Sequence, residues 1–161
     1  MQAKVRALLV HDEERPVAEL KPLLESQGIE TLQARSCAEA EAALACPEPP
    51  VLVFTDKVLT DGTWADVQSL AECAAVPVIV VSRFVDLPFY LEVLESGASD
   101  YMVPPFHKDD VAYVVKGALL DRLRVPSAPS RATTRTRPEV TQHAQNHAPS
   151  GVRAAHAQAG R

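Results

Sequence analysis

The sequence predicts an α/β fold in which a doubly wound parallel sheet carries helices on both of its faces. The first observation is that short apolar runs alternate with segments of helical periodicity, giving five strand–helix units between Lys4 and Leu123. The second is that several of these runs are rich in β-branched residues, as buried parallel strands are. Periodicity does not distinguish the two common strand orders of such sheets, and 2-1-3-4-5 is one of them.

The first two units are marked by helix-end signals as well as by apolar periodicity. Lys4–Val10 is the first strand, and apolar residues at helical spacing predict a helix after it, namely Val17, Leu20, Leu23 and Leu24. Gly28 is placed to end this helix as a C′ residue. Ile29–Ala34 is the second strand. The pattern Ser36-x-x-Glu39 then has the form of a capping box and opens an alanine-rich helix.

Three further units follow, and each pairs a strand with a helix. Their ranges are Val51–Asp56 with Trp64–Cys73, Pro77–Val81 with Asp86–Glu95, and Asp100–Val103 with Asp109–Leu123. The last helix is amphipathic. Its apolar face is expected to be buried and consists of Val111, Val114, Val115, Ala118, Leu119 and Leu123. The five units together predict one globular domain over residues 1–124.

The segment from Val125 to Arg161 differs in composition from the rest of the chain. It is rich in Pro, Ser, Thr, Ala, Gln, Arg and His and has almost no large apolar residues. Such a segment cannot bury enough surface to offset the entropy of ordering, so we predict a disordered tail over residues 125–161. Of the net charge of −5, the tail carries +4 and the remaining residues −9. An acidic domain argues against direct binding of nucleic acid.

Hydropathy and cysteine usage bear on the cellular location. No apolar run approaches the roughly 18 residues that a membrane span needs, and the start of the chain becomes acidic too early for a signal peptide. We therefore expect a cytoplasmic protein without membrane contact. Cys37, Cys46 and Cys73 share no metal-ligand spacing and are expected to be small buried side chains.

Three of the predicted strands end at a residue that can take part in phosphoryl chemistry. Asp12 follows the first strand, Asp56 ends the third and Ser82 follows the fourth. In the 2-1-3-4-5 order these strands are neighbours, so their carboxyl ends would converge where α/β sheets bind ligands. Two adjacent carboxylates suit a hard cation such as Mg²⁺. The arrangement suggests phosphoryl transfer to a carboxylate nucleophile, and the alternative is that Asp56 only caps a turn.

Five segments of the chain carry a resemblance to a known family. They are ALLVHDEE, VLVFTDKVLTDG, PVIVVS, LESGASDYM and PPF, in this order between residues 7 and 106. Their order and spacing resemble those of CheY-like receiver domains, the response-regulator receiver family of two-component signalling. The resemblance covers residues 4 to about 123. It implies the flavodoxin-like (βα)5 fold, a five-stranded parallel sheet in the order 2-1-3-4-5.

The resemblance also implies a role for each matching residue. Asp56 would be the phosphoacceptor, and Ser82 would hydrogen-bond the phosphoryl group. Mg²⁺ would be bound by Asp12, by Asp56 and by the backbone carbonyl of Val58. Tyr101 would be the switch aromatic that moves inward with Ser82, and the alternative for Tyr101 is a half-buried aromatic side chain beside a strand.

Several positions depart from the family pattern and weaken the expected site. His11 stands at the metal site in place of the first acid of the usual pair, which removes a negative charge, so we expect weak binding of Mg²⁺. Pro104 replaces the Lys that contacts the phosphoryl group, and losing such a charge-assisted contact costs about 1.5–3 kcal/mol. Thr60 replaces a frequent Pro. Arg83 replaces a small residue, and Arg83 and Lys57 are the candidates for a substitute cation.

Two functions are consistent with these residues. The first is a receiver module that accepts a phosphoryl group on Asp56 from a histidine kinase or a phosphotransfer protein. It would signal to a downstream protein through the surface of the fourth helix, fifth strand and fifth helix, with a homodimer as a further option. The second is a pseudo-receiver, an interaction module that works without phosphorylation. No independent enzyme activity is expected beyond slow self-dephosphorylation. The resemblance also implies a cis peptide bond between Pro104 and Pro105.

Overall fold

Five parallel strands form a single sheet in the computed structural model, which describes residues 4–12 and 16–123. The strands of this sheet are β1 (Arg6–Val10), β2 (Glu30–Ala34), β3 (Leu52–Asp56), β6 (Val78–Val81) and β7 (Asp100–Met102). Two further short strands, β4 (Val58–Leu59) and β5 (Gly62–Thr63), pair only with each other. The order of the sheet is β2-β1-β3-β6-β7, and all of its pairings are parallel. This is the predicted 2-1-3-4-5 order of five strands, so the flavodoxin-like fold class is confirmed.

Each strand of the sheet is followed by a helix, as the alternating pattern predicts. The helices are α1 (Leu20–Glu25), α2 (Cys37–Leu44), α3 (Trp64–Cys73), α4 (Leu87–Glu95) and α5 (Lys108–Leu123). A short 3-10 turn, Val17–Glu19, leads into α1, which is therefore shorter than predicted. Gly28 follows α1 with φ of 76°, the left-handed conformation expected of it.

Side-chain caps mark the beginnings of α2 and α4. Ser36 Oγ accepts a hydrogen bond from the Glu39 N–H at 3.1 Å, and Asp86 Oδ1 accepts one from the Phe89 N–H at 3.1 Å. Each cap satisfies an N–H that has no partner inside its own helix. The predicted capping box of α2 is not reciprocal, because the Glu39 carboxylate accepts from the Arg35 N–H at 2.7 Å.

Apolar side chains pack on both faces of the sheet, because successive residues of a strand point to opposite sides. One core lies between the sheet and α2, α3 and α4, and Leu8 and Val53 belong to it. The other lies between the sheet and α1 and α5, and Leu9 and Phe54 belong to it. The central strand β3 is buried along its whole length, which explains its nearly continuous apolar sequence.

Two expectations about burial are wrong. Leu123 is 77% exposed, because the buried part of α5 ends at Ala118 and Leu123 is the last residue of the helix. None of the three cysteines is buried either: Cys37 and Cys46 are half-buried and Cys73 is exposed. Cys37 begins α2, Cys73 ends α3 and Cys46 lies in the connection after α2, so all three occupy places at the edge of the core.

A small antiparallel hairpin, formed by β4 and β5, comes directly after Asp56 and is not predicted by the sequence. The turn of this hairpin is attached to α2 through Asp61. Its Oδ1 accepts from the Cys37 N–H at 2.7 Å, and its Oδ2 accepts from the Ala38 N–H at 3.1 Å. The turn therefore satisfies donors at the beginning of a neighbouring helix.

The other end of the hairpin is attached to α3. The Asp66 carboxylate accepts from the Thr63 N–H at 2.8 Å and from the Thr63 hydroxyl at 3.3 Å. Gly62 lies between the two attachments, where the chain passes very close to its neighbours. A Cβ atom at this position would lie 2.7 Å from Asp66 Oδ2 and 2.9 Å from Cys37 Sγ. Only a glycine fits here without displacing both side chains.

Three further expectations concern the membrane, the chain end and the loop after β7. Within the described residues, no helix combines the length and the apolar character that crossing a bilayer requires. The predicted tail over residues 125–161 lies outside the described residues. The peptide bond between Pro104 and Pro105 is cis, as predicted.

The same substitution at a buried and at an exposed leucine tests the placement of the helices. Leu24 is fully buried in α1, whereas Leu123 is 77% exposed. We predict that Leu24→Ala lowers the free energy of unfolding by about 2–5 kcal/mol, because it leaves a cavity in the core. Leu123→Ala should change it by no more than about 0.5 kcal/mol. Urea denaturation measures both, and comparable losses in the two variants would contradict the exposed position of Leu123.

Candidate functional site

The carboxyl ends of three neighbouring strands place Asp12, Asp56 and Ser82 at one edge of the sheet. β3 lies between β1 and β6, and its last residue, Asp56, is paired in register with Val81 of β6. Asp12 and Ser82 come shortly after the ends of β1 and β6. These three residues line one pocket of about 400 Å³, together with Lys57, Val58, Arg83, Phe84 and Asp86. The structure thus brings together the strand-end residues that the sequence predicts to converge.

Asp56 is a largely buried carboxylate, 8% exposed. Burial raises the pKa of Asp56 above its ordinary value of 3.8, and the Lys57 N–H, which donates to Asp56 Oδ1 at 3.0 Å, opposes this. The Asp12 carboxylate raises the pKa of Asp56 further, whereas His11 lowers it. Any positive charge that enters the pocket would therefore stabilise the ionised form of Asp56.

Asp12 is the second carboxylate beside Asp56, and its Oδ2 accepts a hydrogen bond from the Thr60 hydroxyl at 2.8 Å. Among the described residues, no group of three or more His, Cys, Asp or Glu side chains is arranged to hold a metal ion. Mg²⁺, however, is commonly held by one or two carboxylates together with water and phosphate oxygens. The donor set of Asp12 and Asp56 fits Mg²⁺ on that basis, and Val58 lines the same pocket.

His11 and Pro104 are the two departures from the receiver pattern that remove a charge. His11 follows β1 and is 6% exposed, and it affects the pKa of Asp56 without being among the described residues that line the pocket. Pro104 does not line the pocket either, and its side chain carries no charge. The cationic side chains among the described lining residues are Lys57 and Arg83.

One backbone carbonyl connects Ser82 with Tyr101. The Ser82 hydroxyl donates to the Phe84 carbonyl at 3.2 Å, and the Tyr101 hydroxyl donates to the same oxygen at 2.9 Å. Tyr101 is half-buried on β7 and is not among the residues that line the pocket. A hydroxyl has only one proton to donate. If the Ser82 hydroxyl donated to a phosphoryl oxygen, its hydrogen bond to the Phe84 carbonyl would break. The Phe84 carbonyl would then accept from the Tyr101 hydroxyl but no longer from Ser82.

Four aromatic side chains form a connected row, which we call the aromatic row. The ring centroids are 5.8 Å apart for Trp64 and Phe89, 5.7 Å for Phe89 and Tyr101, and 5.5 Å for Tyr101 and Tyr90, all edge to face. The Lys57 ammonium lies over the Phe89 ring, 4.0 Å from its centroid, in a cation–π contact. A residue that lines the pocket is thus in contact with the row that contains Tyr101.

Three contributions to the site are not predicted by the sequence. The Thr60 hydroxyl holds Asp12, and Asp61 holds the turn that follows Asp56. The sequence does contain a signal for Thr60 and Asp61, because these two residues belong to a short polar run soon after the end of the strand. The Phe84 carbonyl, which accepts from two hydroxyls, has no such signal, since every residue type carries a backbone carbonyl.

Curated relatives of this chain include two transcriptional regulatory proteins. The KDP operon transcriptional regulatory protein KdpE of Escherichia coli (strain K12) is 31% identical over 134 residues, which are 83% of this chain and 56% of that protein. The transcriptional regulatory protein KdpE of Mycobacterium tuberculosis (strain ATCC 25618 / H37Rv) is 31% identical over 113 residues, 70% of this chain and 50% of that protein. The chain spans about half the length of these relatives. No protein-family model matches it.

Solved structures with a similar fold include receiver domains. The signal receiver domain of a signal transduction histidine kinase from Syntrophus aciditrophicus matches with a TM-score of 0.62 and 25% identity, over 77% of this chain and 96% of that one. A CheY-like response regulator receiver domain protein from Methanospirillum hungatei JF-1 matches with a TM-score of 0.62 and 23% identity, over 73% and 95% of the two chains. The second likeness concerns the fold alone.

Asp56 and Asp61 have pKa values shifted in opposite directions. Removing their charges should therefore have opposite effects on the free energy of unfolding. Burial raises the pKa of Asp56, so its ionisation costs stability, and this cost grows as the pH rises from 3.8 through the folded-state pKa. The Cys37 and Ala38 N–H donors lower the pKa of Asp61. The charge of Asp61 therefore adds stability that is fully present above pH 3.8 and is lost as the pH falls through the folded-state pKa.

We predict that Asp56→Asn raises the free energy of unfolding at pH 7, whereas Asp61→Asn lowers it. The gain in Asp56→Asn should disappear in acid, where the carboxyl is protonated in both the folded and the unfolded chain. Urea denaturation at pH 7 and at acidic pH measures both variants against the unmodified protein. Effects of the same sign at pH 7 would contradict the electrostatic difference between the two sites.

Proposed function

We propose that this chain, which belongs to the response-regulator receiver family, accepts a phosphoryl group on Asp56 as part of a two-component phosphorelay. The position of Asp56 carries the proposal. It is a largely buried carboxylate at the end of the central strand, in a pocket that it shares with Asp12 and Ser82. A carboxylate held in this way can act as a nucleophile toward phosphorus.

In the proposed reaction a carboxylate oxygen of Asp56 bonds to phosphorus, and the bond from phosphorus to the donor's leaving group breaks. The Lys57 N–H orients the carboxylate through Oδ1 at 3.0 Å. The Ser82 hydroxyl exchanges the Phe84 carbonyl for a phosphoryl oxygen. Mg²⁺ held by Asp12 and Asp56 would supply positive charge that offsets the charge on the phosphoryl oxygens.

A pseudo-receiver is the second candidate function, and two residues favour it. Pro104 offers neither a charge nor an N–H donor to a phosphoryl group, and His11 replaces a carboxylate beside the cation site. A domain of this kind would bind its partner without phosphorylation. The two candidates differ in one chemical fact, which is whether Asp56 becomes covalently modified.

For the receiver, we propose a histidine kinase or a phosphotransfer protein as the phosphodonor and a downstream protein as the recipient of the signal. The recipient would bind the surface of α4, β7 and α5. Exposed apolar side chains support this assignment, since Leu87 and Leu91 on α4 and Tyr113 and Leu120 on α5 are 49–79% exposed. A second copy of the chain is the other candidate for this surface.

We propose a cytoplasmic location, with no membrane or nucleic-acid contact by the domain and no independent enzyme activity.

Transfer from a small phosphodonor tests the proposal. We predict that acetyl phosphate with Mg²⁺ adds one phosphoryl group to the unmodified protein and none to Asp56→Asn, as measured by intact mass. Asp121→Asn, at an exposed carboxylate on α5, is the matched control and should be modified like the unmodified protein. A folded protein that gains no phosphoryl mass under these conditions would favour the pseudo-receiver.

The metal site gives a separate prediction. His11→Asp should tighten Mg²⁺ binding by about tenfold, because a unit charge a few ångströms from the ion contributes on the order of 1–4 kcal/mol. The fluorescence of Trp64, the single tryptophan of the chain, can follow the titration. His107→Asp adds the same charge at an exposed position outside the pocket and serves as the control. Equal affinities for His11→Asp and the unmodified protein would refute this account of the cation site.

A further inference from the structure

We infer that Lys57 supplies the positive charge that holds the phosphoryl group on Asp56, a role that Pro104 cannot fill. The inference rests on the proposed function and names the residue that contacts the transferred group. Three observations support it: Lys57 lines the pocket, its ammonium group lies over the Phe89 ring, and Phe89 belongs to the aromatic row.

Lys57 lies beside the carboxylate that would be modified. It is the next residue after Asp56, its N–H donates to Asp56 Oδ1 at 3.0 Å, and it lines the pocket that Asp12 and Ser82 also line. A phosphorylated side chain carries a charge of roughly −1.5 to −2 at neutral pH. With Asp12 in the same pocket, this charge needs a cation within reach. An ammonium group with three donors on a flexible stem suits such a contact.

The ammonium group of Lys57 contacts an aromatic ring, and no carboxylate of the described residues is paired with it. It lies 4.0 Å from the centroid of Phe89. Within residues 4–12 and 16–123, ion pairs join Lys4 to Glu30 and Arg6 to Glu48, and Lys57 has no part in either of them. An ionised oxygen is a stronger partner for an ammonium group than a ring face. A phosphoryl group on Asp56 would therefore draw the ammonium away from Phe89.

This exchange of partners would affect more than the pocket. Phe89 contacts Trp64 on one side and Tyr101 on the other, both edge to face. Loss of the ammonium from the face of Phe89 changes the surroundings of a ring that both neighbours contact. The fluorescence of Trp64 should therefore respond when an anion binds beside Asp56, which gives a readout that does not depend on covalent modification.

Arg83 is the other cation among the lining residues, and the geometry favours Lys57 over it. Arg83 follows Ser82, after the end of β6, whereas Lys57 follows Asp56 itself. The backbone of Lys57 already contacts the Asp56 carboxylate, and its ammonium group is positioned at the Phe89 ring. Arg83→Gln is therefore a necessary comparison in the test.

Two substitutions test the inference: one removes the ammonium group of Lys57, and the other introduces an ammonium group at position 104. We expect Lys57→Gln to slow phosphorylation by acetyl phosphate about tenfold or more, the effect of losing a charge-assisted hydrogen bond. Adding Pro104→Lys to Lys57→Gln should recover most of the rate, because the family resemblance places a cation there against the same phosphoryl group. Lys57→Arg should retain most of it. Lys21→Gln, exposed on α1 and outside the pocket, should keep the rate of the unmodified protein.

Binding of beryllofluoride, a phosphoryl mimic, is the second measurement. Titrated with Mg²⁺ present and followed by Trp64 fluorescence, its affinity should be about tenfold weaker in Lys57→Gln than in the unmodified protein. The change in fluorescence at saturation should also be smaller, because no ammonium leaves the Phe89 ring in that variant. Lys21→Gln should match the unmodified protein in both quantities.

The outcomes separate this inference from the proposed function. Equal phosphorylation rates in Lys57→Gln and the unmodified protein would overturn the role of Lys57 and leave Asp56 as the phosphoacceptor. A double variant as slow as Lys57→Gln would assign the loss to packing at Phe89, and a rate lost only in Arg83→Gln would assign the charge to Arg83. Either result overturns the inference. If the unmodified protein gains no phosphoryl mass, the proposed function fails, and the role of Lys57 fails with it.

Discussion

The desolvation of one carboxylate is the constraint around which this site is arranged. Asp56 ends the central strand of a parallel sheet whose faces are both covered, and its side chain is 8% exposed. The same topology brings Asp12 to the next strand end, so its negative charge lies in the same pocket and raises the pKa of Asp56. The Lys57 N–H and His11 offset only part of the cost of ionising Asp56 in the folded protein. The remaining cost is what makes the pocket receptive to cations, because a cation there stabilises a charge that the fold leaves under-compensated.

Most of the fold could be predicted because periodicity and helix-end signals point to the same elements. The range of α3 agrees with the predicted one at both ends, and Gly28 has the left-handed conformation expected after α1. The hairpin of β4 and β5 escapes prediction, since strands of two residues are too short to show a period. The helical period continues to the end of α5 and so places Leu123 on the apolar face, whereas burial stops at Ala118.

The site was predictable to the extent that strand ends determine it. Asp12, Asp56 and Ser82 each come at or just after the end of an apolar run, and the topology alone brings such residues together. What could not be predicted depends on contacts between distant parts of the chain. The cation–π contact of Lys57 with Phe89 joins the residue after β3 to α4, and the Phe89–Tyr101 contact joins α4 to β7. Neither pair has a spacing that a sequence pattern could show.

The close approach at Gly62 limits how this chain can change during evolution. A larger residue there would displace both the Cys37 sulfur and the Asp66 carboxylate, which accepts the hydrogen bonds of Thr63 at the beginning of α3. Replacements at position 62 are therefore favoured by a smaller residue at 37 together with a different cap at 66. In an alignment of related sequences, these three positions should covary as a group, although they belong to three separate elements of the chain.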